Sequence, residues 1–191
     1  MFKLKKMIDY EETEEMENFK KPIIGLFGTC GRSTWRDDFI SIYESEELEF
    51  YNPLKVDWNP EDVVEEAKHL AEDEIILFPI TSETYGLGSL AEVGFSILNA
   101  IRIDNSRFFV ILIDDDVIEE LKNENPALAK ESKRNRALVK NHLSKLLLSN
   151  LYIVDNMEDL LQCSIVLYQA AIAKNLVSKF NPHAKKNIPK D

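Results

Sequence analysis

Two glycine-punctuated segments hold the residues best suited to chemistry: Gly28-Thr29-Cys30-Gly31-Arg32-Ser33-Thr34-Trp35-Arg36-Asp37 and Gly86-Leu87-Gly88-Ser89-Leu90-Ala91-Glu92. Gly28 and Gly31 allow close backbone approach and unusual dihedral angles, while Thr29, Ser33 and Thr34 add hydroxyls and amides at a predicted helix start, a combination that suits hydroxyl or phosphate recognition. The segment has neither the Gly-Lys-Ser/Thr of a P-loop nor the Gly-x-Gly-x-x-Gly of a dinucleotide-binding turn. An ordinary tight strand-to-helix turn would use the same residue types. Glu92 is predicted one turn into a helix, near its positive end, where the ionised carboxylate is stabilised and can serve as a nucleophile. A first-turn glutamate with only an electrostatic role is the plainer alternative. Asp57-Trp58 could stack on and hydrogen-bond a heterocycle, or Trp58 could cap the core.

The elements that must position these residues alternate between strand and helix. Ile23-Ile24-Gly25-Leu26-Phe27-Gly28 is a short apolar run ended by glycine, as in a strand buried on both faces. A weak helical pattern over 37–47 leads to a short second strand around Glu49-Phe50-Tyr51-Asn52-Pro53. Asn59-Pro60-Glu61 opens a helix to about Glu72, with proline at a tolerated first-turn position. Ile75–Ile80 is the third strand, Ser89–Ile101 a helix, and Arg107–Ile113 the fourth strand. A helical stretch interrupted near Asn125-Pro126 runs to Ser149, followed by a fifth strand at Leu151–Val154 and a long amphipathic helix over Met157–Phe180. This alternation predicts an α/β, Rossmann-like or flavodoxin-like three-layer sandwich with a five-stranded parallel sheet in the order 2-1-3-4-5. In that order the loops after the first and third strands meet at the switch-point crevice.

The chain has 191 residues, enough for one continuous core, and divides into an acidic N-terminal arm, 1–21, and a single domain, 22–191. Its net charge of −11 argues against a general role on DNA, RNA or anionic lipid, which all demand a positive footprint. The expected partner is a small molecule, or else a basic partner, with no nucleic acid and no membrane. Cys30 and Cys163 have no disulfide or zinc spacing and suit free thiols in a reducing compartment. No signal peptide is seen, no apolar run is read as a membrane span, and the expected location is cytoplasmic. No metal or cofactor site is expected, and His69, His142 and His183 share no ligand spacing. The run Lys130–Lys140 is the one concentrated basic stretch. Its Arg134 and Arg136 could hold a substrate phosphate, or the run could be a solvated helix face.

Taken in order, Gly28-Thr29-Cys30-Gly31-x-Ser33-Thr34-Trp35-Arg36-Asp37, then Asn52-Pro53 with Val56-Asp57-Trp58, then Ile80-Thr81 and Ser89-Leu90-Ala91-Glu92 resemble the divergent branch of the nucleoside 2-deoxyribosyltransferase-like family, over about residues 22–115. The resemblance implies a Rossmann-like fold and cleavage of the N-glycosidic bond of a nucleoside or nucleotide. Glu92 would attack the anomeric carbon, and the sugar would pass to another base or to water. It implies a substrate-binding set of Gly28, Thr29, Cys30, Gly31, Ser33, Thr34, Trp35, Asp37, Asp57, Trp58, Gly86, Gly88 and Ser89. The transferases carry an aspartate where this chain has Gly86. Glu66 matches another acidic position of the family and is the second catalytic candidate, with Asp57 and Glu83 as substitutes near the motifs. The missing aspartate leaves an alternative, a non-catalytic module of the same fold that senses or sequesters a nucleotide. Related proteins often build the site between subunits, which implies a homo-oligomer, and the last helix has apolar positions with which to pack on a copy.

Overall fold

The structure is a computed structural model that describes residues 21–181 except Val56, Trp58, Asn105 and Lys179. The acidic arm before Lys21 and the Trp58 position therefore lie outside the described residues. The elements run β1 (Ile24–Leu26), α1 (Trp35–Ser45), β2 (Phe50–Tyr51), α2 (Pro60–Glu72), β3 (Ile75–Ile80), α3 (Leu87–Glu92), a π-helical turn (Val93–Ile97), α4 (Leu98–Ile103), β4 (Phe108–Ile113), α5 (Glu119–Glu124), α6 (Pro126–Leu143), β5 (Leu151–Val154) and α7 (Met157–Ser178). All strand pairs are parallel and the order is β2-β1-β3-β4-β5, a Rossmann-like, flavodoxin-like sandwich.

Strand side chains alternate between two apolar layers, the period of two expected of β structure. Ile75, Leu77, Val110 and Leu112 join Ile24 and Leu26 on the face covered by Trp35, Phe39 and Tyr43 of α1 and Leu160, Leu167, Tyr168 and Ala171 of α7. Ile76, Phe78, Ile80, Phe109, Ile111 and Ile113 face the other way, against Leu90, Val93, Ile97, Ile101 and Leu143. Because both faces are covered, the strands read as unbroken apolar runs rather than alternating ones.

Local chemistry sets the element ends. The Asn59 side chain accepts from the Glu61 and Asp62 amides while Asp62 returns a bond to the Asn59 amide, a capping box with Pro60 in the first turn. α6 stops at Leu143 rather than Ser149 because the chain tightens into i→i+3 bonds, Lys145 N–H to His142 and Leu146 N–H to Leu143. α7 differs from the amphipathic helix expected: its inner face is in the core, yet Val166, Leu176 and Val177 on its outer side are about half exposed. Among the described residues it is also one helix long and apolar enough, by length and composition, to cross a membrane, a run that the sequence pattern had not singled out.

A second polar cluster lies at the far end of the sheet from the crevice. Asp73, at the C-terminus of α2, is buried, with Oδ1 2.8 Å from His69 Nδ1 and no hydrogen-bond partner at Oδ2 among the described residues. The absence of a side chain on Gly25 leaves room for that oxygen, since a Cβ there would stand 2.8 Å from it. Burial pushes the Asp73 carboxyl up to about 6, against the pull of His69. The His69 ring is stacked on Tyr51 at 3.6 Å, and Arg107 donates to the carbonyls of Asp73 and Leu70, tying this corner to β4.

Candidate functional site

The crevice forms where β1 stops short of β3. After Leu26 the chain keeps to β3 through Phe27 N–H to Leu77 O (3.0 Å) and Thr29 N–H to Pro79 O (2.8 Å), then turns away. Pro79 sits in the central strand, where a missing N–H is tolerated only if no neighbour needs it, and β1 pairing ends at this level. Gly28 crosses directly over it with φ +90°, and a Cβ would lie 2.4 Å from the Pro79 oxygen. No side chain fits there, so Gly28 shapes the loop.

Thr29 is the hinge of a buried hydroxyl relay. Its Oγ1 donates to Pro79 O and accepts from Thr81 N–H; Thr81 Oγ1 donates to Ser33 Oγ, and Ser33 donates to the Glu83 carboxylate at 3.3 Å. This relay binds the first glycine segment to the end of β3 and the loop after it, Pro79 to Glu83, across some fifty residues of sequence. Thr29, Ser33 and Trp35 are buried, with Trp35 Nε1 donating to Thr29 O and its ring edge-on to Phe39 at 5.1 Å. The expectation that these three touch substrate is corrected in part: Thr29 and Trp35 are spent on loop geometry, and Ser33 presents Glu83. Cys30, Gly31, Thr34, Asp37, Asp57 and Gly88 are exposed, whereas Ser89 is partly buried.

Arg36 organises this loop from beneath. It is 2 % exposed, donates through Nε to Leu26 O and through Nη1 to Thr29 O, and leans with Nη2 3.7 Å from the Cys30 sulfur. Burial lowers its pKa, with Cys30 and the Glu66 carboxylate pulling the other way. Glu66 of α2 is the acidic group that Arg36 senses. Burial raises the Glu66 carboxyl above the ordinary glutamate range and Arg36 opposes that rise. Glu92 is raised as well, first by burial and then by the charge of Glu66.

The structure thus brings the two catalytic candidates within electrostatic reach of each other, one from α2 and one from α3. It also corrects the protonation expected of Glu92. The helix begins at Leu87, so Glu92 is the last residue of α3 rather than a first-turn residue, and the helix-end field has faded there. Burial and the like charge of Glu66 win, and the Glu92 carboxyl is raised rather than lowered. Glu92 leads straight into the π-helical turn Val93–Ile97, a distortion that recurs at functional sites because it re-aims the adjoining side chains. Among the described residues no hydrogen bond holds the Glu92 carboxylate.

Gly86 caps α3 in the left-handed region, φ +65°, and a Cβ there would meet Ile80 Cγ2 at 2.8 Å and Arg136 Nη2 at 3.0 Å. A side chain at position 86 would therefore collide with Ile80 and crowd Arg136. This arginine is not available to a phosphate, which corrects its expected role. It is fully buried, and its donors go to Ser132 Oγ and to the carbonyls of Ile80, Asp114, Thr81 and Thr84. Arg134 points outward, paired with Glu131 at 3.6 Å on its own helix. Sequence reasoning gave neither Arg36 nor Arg136 its structural role. The spacing Ala129, Ser132, Arg136 and Leu143 on the inner face of α6 was the signal for the second.

Among the described residues no group of three or more His, Cys, Asp or Glu is arranged to hold a metal, and both cysteines are free. Compared with known proteins, the chain matches no family model and no curated protein sequence.

Proposed function

We propose that this protein cleaves the N-glycosidic bond of a nucleoside or nucleotide, with the ordered motifs from Gly28 to Glu92 marking a divergent nucleoside 2-deoxyribosyltransferase-like enzyme. The observation that carries the reading is that Glu66 of α2 and Glu92 at the end of α3 are both raised by burial, with the charge of Glu66 adding to the rise at Glu92. In the reactive form Glu92 is ionised. Its oxygen bonds to the anomeric carbon, the bond from that carbon to the base nitrogen breaks, and the electron pair leaves with the base. Glu66, whose carboxyl is raised by burial, holds the proton and gives it to the departing base. A second base or water reverses the ester.

A second reading is favoured by Gly86. Its crowded, left-handed backbone leaves no space for the family's acid, which suits a module that binds a nucleotide-like ligand without turning it over. One experiment separates the two. The full chain is incubated with nucleosides, 2′-deoxynucleosides, their 5′-monophosphates and NAD, with free base followed by chromatography in the presence and absence of a second base. Base release that falls at least ~100-fold in Glu92→Ala supports the enzyme, and exchange of bases identifies transfer. Ligand retained and recovered unchanged sinks the enzyme reading in favour of the binding module.

A further inference from the structure

The loop that joins β3 to α3 is clamped at almost every residue and carries one carboxylate. Thr81 N–H donates to Thr29 Oγ1, and the Thr81 and Thr84 carbonyls both accept from Arg136 Nη2, at 2.9 and 2.8 Å. Ser82 N–H donates to Asp114 Oδ2 at 2.7 Å, the Tyr85 carbonyl accepts from Ser132 Oγ at 2.7 Å, and Gly86 N–H donates to Thr84 Oγ1. Glu83, partly buried, is tied through its side chain, with Ser33 Oγ of the opposite loop 3.3 Å from Oε2. That contact spans the loops after β1 and β3, the switch point of the sheet. The hydroxyls behind it run one way. Thr29 gives its proton to Pro79 O, Thr81 to Ser33, and Ser33 to Glu83, with Thr29 and Thr81 each 1 % exposed and Ser33 5 %. Were Glu83 the donor, Ser33 would have to turn back on Thr81, and the buried Thr81 hydroxyl would lose the acceptor it has among the described residues. Glu83 therefore stands at the crevice as an acceptor, not as the proton donor that its place near the motifs suggested. Arg136 senses its charge: burial lowers the Arg136 pKa, opposed by Asp114, Asp116 and Glu83.

We infer that Glu83 accepts hydrogen bonds from the cis 2′,3′-hydroxyls of a ribose, so that the site takes ribosyl compounds ahead of 2-deoxyribosyl ones. The inference rests on the nucleoside or nucleotide reading above and adds the sugar to it. A carboxylate offers about four lone-pair positions on two oxygens, and Ser33 fills one, which leaves room for two donors side by side. Of the parts of a nucleotide, the phosphate is an anion that Glu83 repels, and the donors of the base change from one base to the next. The cis-diol is constant and sets two O–H groups on adjoining carbons. Dinucleotide-binding parallel sheets hold a ribose with an acidic residue by the same chemistry. A 2-deoxyribose supplies one of the two donors and leaves part of the carboxylate unmet. The preference is the reverse of the one for which the resembled transferases are named.

The test compares base-matched pairs, each common ribonucleoside and its 5′-monophosphate against the 2′-deoxy counterpart. Affinity is read by calorimetry on the full chain carrying Glu92→Ala, so that no ligand is consumed, and base release by chromatography on the parent. The pair that binds tightest should favour its ribo member at least ~10-fold, and adding Glu83→Gln should bring that ratio to within ~2-fold of one. Gln keeps the shape of the side chain, and a purely structural role would weaken both members alike. Equal affinity for the two sugars, a preference for the deoxy member, or a ratio that survives Glu83→Gln overturns the inference. So does an effect of Glu83→Gln that follows the base and not the sugar, or a panel in which no member binds at ~1 mM. The two claims fail separately. Glu92-dependent base release with a deoxy preference keeps the enzyme and ends the ribose inference, whereas a Glu83-dependent ribose preference with no base released does the reverse.

Discussion

Arg36 and Arg136 are two fully buried guanidiniums that serve the same crevice in different ways. Arg136 gives every nitrogen to protein oxygens, closing the loops after β3 and β4 onto α6. Arg36 holds the loop after β1 through two carbonyls but leaves its remaining nitrogen toward Cys30 and its field toward Glu66. The contrast separates scaffold from site. A buried charge whose donors are all satisfied fixes a shape, and one left partly open tunes its neighbours.

The largest effect expected from breaking this contrast is on stability. Arg136→Met strands four carbonyls and a hydroxyl and should cost ~3 kcal/mol or more in urea unfolding. A parent-like midpoint would show that water replaces the guanidinium at no penalty. Arg36→Met should cost less, with two carbonyls released, but should also change the pH profile of base release. Arg36 opposes the rise of the Glu66 pKa, so its removal lets Glu66 hold its proton to higher pH, and the alkaline limb should move upward. An unmoved limb would detach Glu66 from the chemistry.

Glycines sharpen the same comparison. Gly86→Ala forces a side chain into left-handed backbone against Arg136 and should cost ~1–2 kcal/mol or more. Gly88→Ala, with nothing within 4 Å of the added atom and a helical backbone, should be neutral or stabilising by ~0.5 kcal/mol. Equal effects on melting would show that the contact with Arg136 does not constrain Gly86.

The effect at Asp73 depends on pH. Its folded pKa of about 6 lies above the ~3.9 of an unfolded aspartate, so the folded state binds the extra proton. The stabilisation is full below ~4 and is lost as pH rises through about 6. Asp73→Asn should therefore flatten the fall in melting temperature across that window, and a slope identical to the parent's would assign the dependence elsewhere.

The sheet was legible because its strands are continuous apolar runs: Ile75–Ile80 is buried at every residue, and the edge strand Leu151–Val154, only partly buried, still ends where its apolar run ends. The helix over Leu87–Ile103 was legible, but its π-helical turn was not, since no residue type announces a single wide turn. Glu66 and Glu92 could be picked out by position. The sense of their pKa shifts could not, because burial and mutual repulsion depend on how α2 and α3 come together. Arg136 was obscured by company: among Lys130, Lys133, Arg134 and Lys140 it looks like one more surface cation. Only its place on the face of Ala129, Ser132 and Leu143 sets it apart.

The staple made by Arg136 also orders events in time. Its bond to Ile80 spans 56 residues, and both carboxylates of the crevice precede it in the chain. During synthesis Glu66 and Glu92 are therefore present before the side chain that locks the loops around Gly86, and a nascent chain halted ahead of α6 has those two carboxyls without that frame.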